Sequence, residues 1–323
     1  MSGRLPERAP GHNGLVPLPG WDQGNDWRSF VPADRLPWII NPDCGYIVTA
    51  NNDLNKYGRS LPINLPMAPF RADSIAAALA ARDDWDVAST GQLQLDVHSP
   101  HAKAYLAILT PLLPAGENGD LLRQWNACYG PESRGAWLFE RFYCELLREV
   151  LGARMGADVV GHLLGETGIV ADFAWNLDRV LLDAKSVWYD GRNRDAVWRA
   201  VADRTLKVKA QPWSADRQLV MRHLLFGGKL PKIAGFDHGP ITLAGGRATI
   251  RQGQIYRSGG RETSFAPSYR LVVDFAEDAA HTALAGGVSD RRFSGLYTSD
   301  VANWLAGRLK RLAPLATKAR PTD

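Results

Sequence analysis

Two carboxamide side chains follow a short apolar run in the first sixth of the sequence. Asn51 and Asn52 come directly after residues 46–50, which a Pro-Asp-x-Gly turn precedes. This run is typical of a buried strand, whose rigid backbone would hold a side chain at its end. A carboxamide N–H held in this way can stabilise the oxyanion of a tetrahedral intermediate. Turn formation is the alternative, because Asn-Asn-Asp after a strand is ordinary turn chemistry.

Short motifs spread over the chain resemble those of the penicillin acylase family of N-terminal nucleophile hydrolases. Residues 41–52 resemble the family's NP-x-x-G-(Y/F)-(I/V)-x-x-x-N-(N/D), and residues 69–73 resemble its P-(Y/F)-R-A segment. Further matches in the family's order are G-x-x-P-x-R at 3–8, P-x-P-G at 17–20, Trp27 with Leu36-Pro37, Q-x-D-x-x-S at 94–99, GG-x-S at 286–289, and S-x-x-Y from Ser294 to Tyr297. The resemblance therefore covers nearly all 323 residues.

This resemblance implies roles for two side chains. Asn51 matches the family's Asn that donates to the developing oxyanion, a donor whose loss typically lowers the rate on the order of 10²–10³-fold. Arg71 matches an Arg that raises the positive potential and hydrogen-bonds the carbonyls or carboxamides around the nucleophile. An Arg that only caps loop carbonyls is the alternative for Arg71. Asn52 is expected to serve the turn or to orient its neighbour.

The family hydrolyses linear N-acyl amide bonds through an N-terminal Ser whose own amine relays the proton. In the family the G-x-x-P-x-R segment lies far downstream of that Ser, so this chain resembles the C-terminal part of the catalytic chain only. The resemblance predicts an amide hydrolase whose nucleophile is not present in this chain, with an N-acyl amide substrate and the missing N-terminal half as partner. The alternative is a catalytically inactive truncated or split-gene fragment that acts only as a partner of that half.

Composition argues against several other classes. The net charge is +4, and the basic residues are scattered apart from a basic tail, so we expect no nucleic-acid interface. No run approaches the ~18 apolar residues of a membrane span, and residues 1–15 lack the apolar part of a signal peptide. The family resemblance implies a periplasmic or secreted location, although no signal peptide is found in this chain. The three cysteines lack metal-type spacing and are expected to be buried thiols.

No cofactor or metal is predicted for this chain. His98 and His101 flank Ser99-Pro100 and lack the i, i+4 spacing of a zinc-binding helix, while Ser99 is better placed as an N-cap. Family members commonly bind calcium, but largely through segments that this chain does not contain. Calcium is therefore expected, if at all, in the full-length family enzyme.

The order of elements predicts an α+β chain in which strands flank a helical insertion at about 73–206. The family's fold is an αββα sandwich, of which this chain would hold part as one unit spanning 1–323. Within it we expect extended segments and loops in 1–72, mainly helices in 73–230, strands in 231–298, and a helix with a basic tail in 299–323.

Capping residues and glycines set the predicted boundaries of individual elements. The first predicted helix is capped by Asp73 or Ser74, the second is capped by Asp86 and extends through 95, and the third begins at Pro100 with Ser99 as its cap. A fourth runs from about 134 and ends at Gly152, and residues 155–185 and 193–206 are predicted to be mostly helical. The last predicted helix covers about 299–312, with Ser299 or Asp300 as its cap. The predicted strands are 46–50, 242–250, 254–256 and 270–275.

Overall fold

The computed structural model describes residues 4–166, 174–215, 218–253, 262–263 and 265–313. In these residues the helices are α1 Phe70–Ala80, α2 Val87–Leu93, α3 Pro100–Leu109, α4 Glu117–Gln124, α5 Arg134–Met155, α6 Ala157–Glu166, α7 Ala174–Leu182, α8 Arg194–Thr205 and α9 Val301–Ala306. The strands are β1 Pro6–Glu7, β2 Ser29–Phe30, β3 Gln218–Met221, β4 His238–Thr242, β5 Glu262–Thr263, β6 Tyr269–Asp274, β7 Ala279–Leu284 and β8 Lys310–Leu312.

Several helices begin where their capping residues predict. The Asp86 side chain accepts from Ser89 N while the Ser89 side chain accepts from Asp86 N, a reciprocal capping box that starts α2. Ser99 accepts from Ala102 N at 3.1 Å, and Pro100 occupies the first turn of α3, where its missing N–H removes no helical hydrogen bond.

Two helix boundaries differ from the prediction. The first helix begins at Phe70, immediately after Pro69, so Asp73 lies inside its first turn and does not cap it. Helix α5 continues through Gly152 to Met155 and ends at Gly156, whose φ of 88° is the conformation that stops the helix. Glycine tolerates a helix interior at a modest cost, which packing offsets here.

The main hydrophobic core lies among the helices. Helix α5 places Leu138, Phe142 and Leu146 on one face, and each is 0% exposed. They pack with side chains of α3 and α8, including Tyr105 and Trp198, whose rings stack with centroids 5.3 Å apart. The helical region therefore forms its own core, separate from the smaller apolar cluster beneath the strands at Ile241, Ala283 and Trp304.

The strands of the described residues form three small sheets. Strand β1 pairs with β2, β3 lies between β4 and β5, and β7 lies between β6 and β8. The β6–β7 hairpin pairs six residues of each strand in antiparallel register from Tyr269↔Leu284 to Asp274↔Ala279. This hairpin confirms the predicted strand at 270–275 to within a residue at each end.

Three other strand predictions have different outcomes. Residues 46–50 show the alternating burial of a strand, yet no strand among the described residues pairs with them, so the predicted strand is wrong for this chain. Of the strand expected at 242–250, only Thr242 lies in a strand, as the last residue of β4. The strand does not continue because Gly245 (φ 99°) turns the backbone and its N–H donates to Tyr129 O. The strand expected at 254–256 lies outside the described residues.

The predicted C-terminal helix is also shorter than expected. It ends at Ala306, because Gly307 adopts a left-handed conformation with φ 69°. The chain then returns as β8 and pairs with β7. Asp300 occupies the N-cap position without a capping hydrogen bond. Its buried carboxylate instead accepts from Leu284 N and pairs with Lys310, both at 2.7 Å. The described residues contain no helix with the length and apolarity that a membrane span needs.

Candidate functional site

The structure brings together the two side chains that the sequence singled out. Arg71 lies in the first turn of α1, and its Nη2 donates both to Asn51 Oδ1 and to Ala50 O, each at 2.8 Å. The same nitrogen lies 3.6 Å from Met67 Sδ. Both kinds of contact expected for Arg71, to a carbonyl and to a carboxamide, are therefore present, and the carboxamide is that of Asn51.

This contact fixes the orientation of the Asn51 amide. A guanidinium can only donate hydrogen bonds, so the amide atom that faces Arg71 is the oxygen. The Nδ2 amino group must then point away from Arg71, and within the described residues it contacts no acceptor. An amide anchored through its oxygen keeps both of its N–H groups available as hydrogen-bond donors.

Backbone contacts hold the turn that carries Asn51. Its φ is 64°, in the left-handed region that Asn adopts more readily than most residues. Its carbonyl accepts from Met67 N at 2.8 Å, and Ala50 N donates to Asn52 Oδ1 at 3.0 Å. The turn alternative and the oxyanion role are thus compatible, because Asn52 closes the turn while Asn51 lies at its exposed tip.

A cavity of about 420 Å³ lies beside this turn. Twelve residues between Pro37 and Tyr57 and three residues of α1 line it, including Tyr46, Val48 and Asn52. Asn51 is not a lining residue, although the next residue, Asn52, is. The Asn51 side chain belongs to an exposed residue.

Arg71 supplies the positive charge at this turn. Burial lowers the pKa of its guanidinium. An arginine side chain nevertheless stays protonated in proteins. Since the guanidinium contacts two neutral oxygens, part of its charge remains uncompensated close to the Asn51 amide. This charge favours a negative oxygen at the Asn51 tip.

The structure also shows what the residues of the other sequence motifs contact. Gly287 belongs to the GG-x-S segment, where a Cβ would lie 1.8 Å from Leu296 O, so only glycine fits. Tyr297 from the following S-x-x-Y donates to Phe236 O at 2.8 Å. His98 Nδ1 lies 2.9 Å from Oδ1 of Asp96, two residues earlier in the chain. Cys44 is exposed, which corrects the expectation that it is buried. Among the described residues, no three His, Cys, Asp or Glu side chains are grouped so as to hold a metal ion.

Sequence reasoning missed a buried cluster of polar side chains behind the site. Asp178 on α7 is 1% exposed, and its Oδ1 accepts from Tyr105 OH at 2.7 Å and Tyr143 OH at 2.9 Å and lies 3.0 Å from His101 Nε2. The His101 ring meets Phe70, the residue before Arg71, edge to face at 5.3 Å. Burial alone would raise the pKa of Asp178, but His101, Arg247 and Tyr105 together lower it.

Comparisons with known proteins agree with this structure. The penicillin amidase family model matches residues 1–319. The chain is 26% identical over 317 residues to penicillin acylase 2 proenzyme of Pseudomonas sp. (strain SE83), covering 93% of this chain and 40% of that protein. It is 24% identical over 350 residues to acyl-homoserine lactone acylase QuiP of Pseudomonas putida, covering 97% of this chain and 42% of that protein.

A solved structure shares the fold. Penicillin G acylase from Alcaligenes faecalis matches with a TM-score of 0.60 and 16% identity, covering 96% of this chain and 61% of that one. This match confirms the predicted α+β class as part of an N-terminal nucleophile hydrolase fold. The chain spans about two fifths of the length of the curated relatives that it matches. With a family match over nearly its whole length, the chain belongs to the penicillin amidase family.

Proposed function

We propose that this chain is the C-terminal part of the catalytic chain of an amide hydrolase that cleaves linear N-acyl amides. The observation that carries the proposal is the Arg71 Nη2 contact, which holds Asn51 by its oxygen and leaves the amide N–H groups available. The names of its relatives, a penicillin acylase and acyl-homoserine lactone acylases, support an N-acyl amide as the substrate.

The proposed reaction is acyl transfer to an N-terminal Ser supplied by polypeptide outside this chain. The Ser hydroxyl attacks the amide carbonyl, the α-amine takes its proton and delivers it to the leaving amine, and water then hydrolyses the acyl-enzyme. Asn51 Nδ2 donates to the carbonyl oxygen as it becomes negative. Arg71 holds the amide in place and adds positive potential. The proposal assigns calcium no step within this chain.

The partner in this proposal is an amino-terminal polypeptide that completes the fold. Two observations support it. The chain covers only 40% of the penicillin acylase 2 proenzyme. In addition, large apolar side chains in the N-terminal part of the chain are strongly exposed, with Trp21 at 89%, Ile40 at 71% and Leu61 at 81%. Exposed apolar surface of this kind is typical of a surface that another polypeptide covers.

Co-expression tests the proposal. The chain is produced alone and together with the polypeptide encoded directly upstream, and hydrolysis of a chromogenic N-acyl amide is measured in each preparation. We expect activity in the co-expressed sample only. Activity in neither sample would favour the inactive-fragment alternative, and robust turnover by the lone chain would contradict the assignment of the nucleophile.

Substitutions at the site make the test specific. We expect Asn51→Ala to lower kcat on the order of 10²–10³-fold with a smaller change in KM, because the donor acts mainly in the transition state. Arg71→Met should lower kcat by releasing the Asn51 amide. Asn64→Ala, at an exposed Asn that donates to Asn13 O, is the matched control and should leave kcat unchanged. Equal kcat for the Asn51 and Asn64 variants would exclude the oxyanion role.

A further inference from the structure

A second unusual arginine, Arg270, lies on the β6–β7 hairpin. Arg270 on β6 is only 4% exposed, and its Nη1 donates to the backbone oxygen of Gln94 at 3.1 Å. Its Nε and Nη2 are buried and have no hydrogen-bond partner. Buried N–H groups of a charged side chain are rarely left unpaired, because the loss of their hydration is then uncompensated.

The two unpaired nitrogens define a specific binding geometry. In a guanidinium, Nε–H and one N–H of Nη2 point in parallel along the same edge, and this edge binds a planar or tetrahedral oxyanion through two hydrogen bonds. The backbone contact of Nη1 leaves that edge intact. The free edge of Arg270 therefore fits two oxygens of one anion.

A second positive charge lies close to the first. Arg251 donates from Nη2 to Leu305 O at 3.1 Å and is itself partly buried. Burial and the neighbouring Arg251 lower the pKa of Arg270 to about 10. Within the described part of the chain, no acidic side chain pairs with either guanidinium. The two charges are thus neighbours, and no acidic side chain among the described residues pairs with them.

An unpaired acceptor completes the set. Gln94 Nε2 donates to Leu271 O at 3.2 Å, which leaves Gln94 Oε1 buried and without a partner. The residues around Arg270 therefore combine its two parallel N–H donors, the positive charges of Arg270 and Arg251, and one acceptor, Gln94 Oε1. An oxyanion that still carries a hydroxyl hydrogen, such as hydrogen phosphate, matches that combination, since it can accept from Arg270 and donate to Gln94. Water could fill the hydrogen bonds but would leave the charge uncompensated.

We infer that Arg270, Arg251 and Gln94 form a binding site for a small oxyanion of the hydrogen phosphate type. The site is independent of the proposed amide hydrolysis. The anion would join β6 to the C-terminal end of α2 and to the loop that carries Arg251. Its expected effect is to stabilise the contact between the strand region and the helical region.

The test measures the thermal stability of the 323-residue chain, freed of phosphate, during titration with inorganic phosphate. Sodium chloride keeps the ionic strength constant. We expect Tm to rise and to saturate with phosphate, because a ligand that binds only the folded state stabilises it. Isothermal titration calorimetry then gives Kd directly. A Tm that does not depend on whether phosphate or chloride is present would overturn the inference.

Variants locate the binding. Arg270→Lys keeps the charge but removes the two-nitrogen edge, and the loss of one charge-assisted hydrogen bond should weaken phosphate binding about tenfold or more. Arg251→Gln keeps Arg270 intact and removes the second charge, so it tests the site even if the Arg270 variant fails to fold. Arg308→Gln removes an exposed charge next to α9 and is the control. Phosphate affinity unchanged by Arg251→Gln and equal to that of the control would show that the anion binds elsewhere or not at all.

Discussion

The charge of Asp178 should be a main stabilising feature of the helical region. Its Oδ1 lies within hydrogen-bond distance of His101 Nε2, Tyr105 OH and Tyr143 OH, with distances from 2.7 to 3.0 Å. Replacement by Asn keeps the shape and an acceptor oxygen but removes the charge. Because His101, Tyr105 and Tyr143 are all buried, none of them can turn to water for a replacement partner.

The size of the effect follows from the number of bonds. Hydrogen bonds to a charged group contribute about 1.5–3 kcal/mol, against about 0.5–1.5 kcal/mol for neutral pairs. Loss of the charge therefore costs about 1 kcal/mol per bond, and about 3 kcal/mol for Asp178→Asn. Asp178→Ala should cost about 3–5 kcal/mol, because it leaves the donors without any acceptor.

Urea unfolding followed by far-UV circular dichroism measures both variants, since the cluster lies among the helices. Asp203→Asn is the control, because Asp203 is exposed on α8, and it should change the free energy of unfolding by less than about 0.5 kcal/mol. A double-mutant cycle with Tyr143→Phe isolates one bond and should give a coupling energy of about 1 kcal/mol. If Asp178→Asn and Asp203→Asn have the same stability, the reasoning about the buried charge is refuted.

Three further predictions use the same unfolding assay. Ser99→Ala removes the cap of α3 and should lower the free energy of unfolding by about 1 kcal/mol, with Ser99→Asn largely restoring it. Leu146→Ala should lower it by about 2–5 kcal/mol, because the side chain is 0% exposed and leaves a cavity. Burial opposes the ionisation of Asp178 and Asp300, but their hydrogen-bond and charge partners lower the pKa of both carboxyl groups below 3.8. The stabilisation that these two carboxylates give the folded state is therefore fully present above about pH 4. It is lost as the pH falls through their folded-state pKa values. Asp300→Asn should make the free energy of unfolding fall less steeply with decreasing pH below about pH 4. An unchanged pH dependence in this range would contradict the role of Asp300.

Local signals in the sequence were enough for much of the helical region. Ser99 followed by Pro100 specifies a helix start through one side-chain acceptor and one missing donor, so no distant contact is needed to place it. The strand at 270–275 was also predicted, because Leu271, Val272 and Val273 form a short run of apolar residues. Its partner strand β7 was not predicted. The fold class came from motifs that match a family.

Distant contacts decided the elements that sequence reasoning misplaced. The residues after Gly307 continue a helical pattern, but pairing with β7 draws them into β8. Residues 46–50 alternate as a strand does, yet strand formation needs a neighbour, and the described residues supply none. The Asn51–Arg71 pairing could be anticipated from the family motifs. The Asp178 cluster could not, since its members are unremarkable Tyr, His and Asp residues on three different helices.

Two backbone hydrogen bonds join the helical region to a loop in the strand region. Arg251 N donates to Asp96 O at 2.8 Å, and Gly245 N donates to Tyr129 O at 2.8 Å. During synthesis on the ribosome, the helices can therefore pack around their own core before Gly245 and Arg251 have been synthesised. Until then the carbonyl groups of Tyr129 and Asp96 lack these backbone donors. Helices rich in local contacts form quickly, whereas joining segments so far apart along the chain is slow. A nascent polypeptide released before Gly245 would keep its helices but expose the surface onto which the hairpin closes.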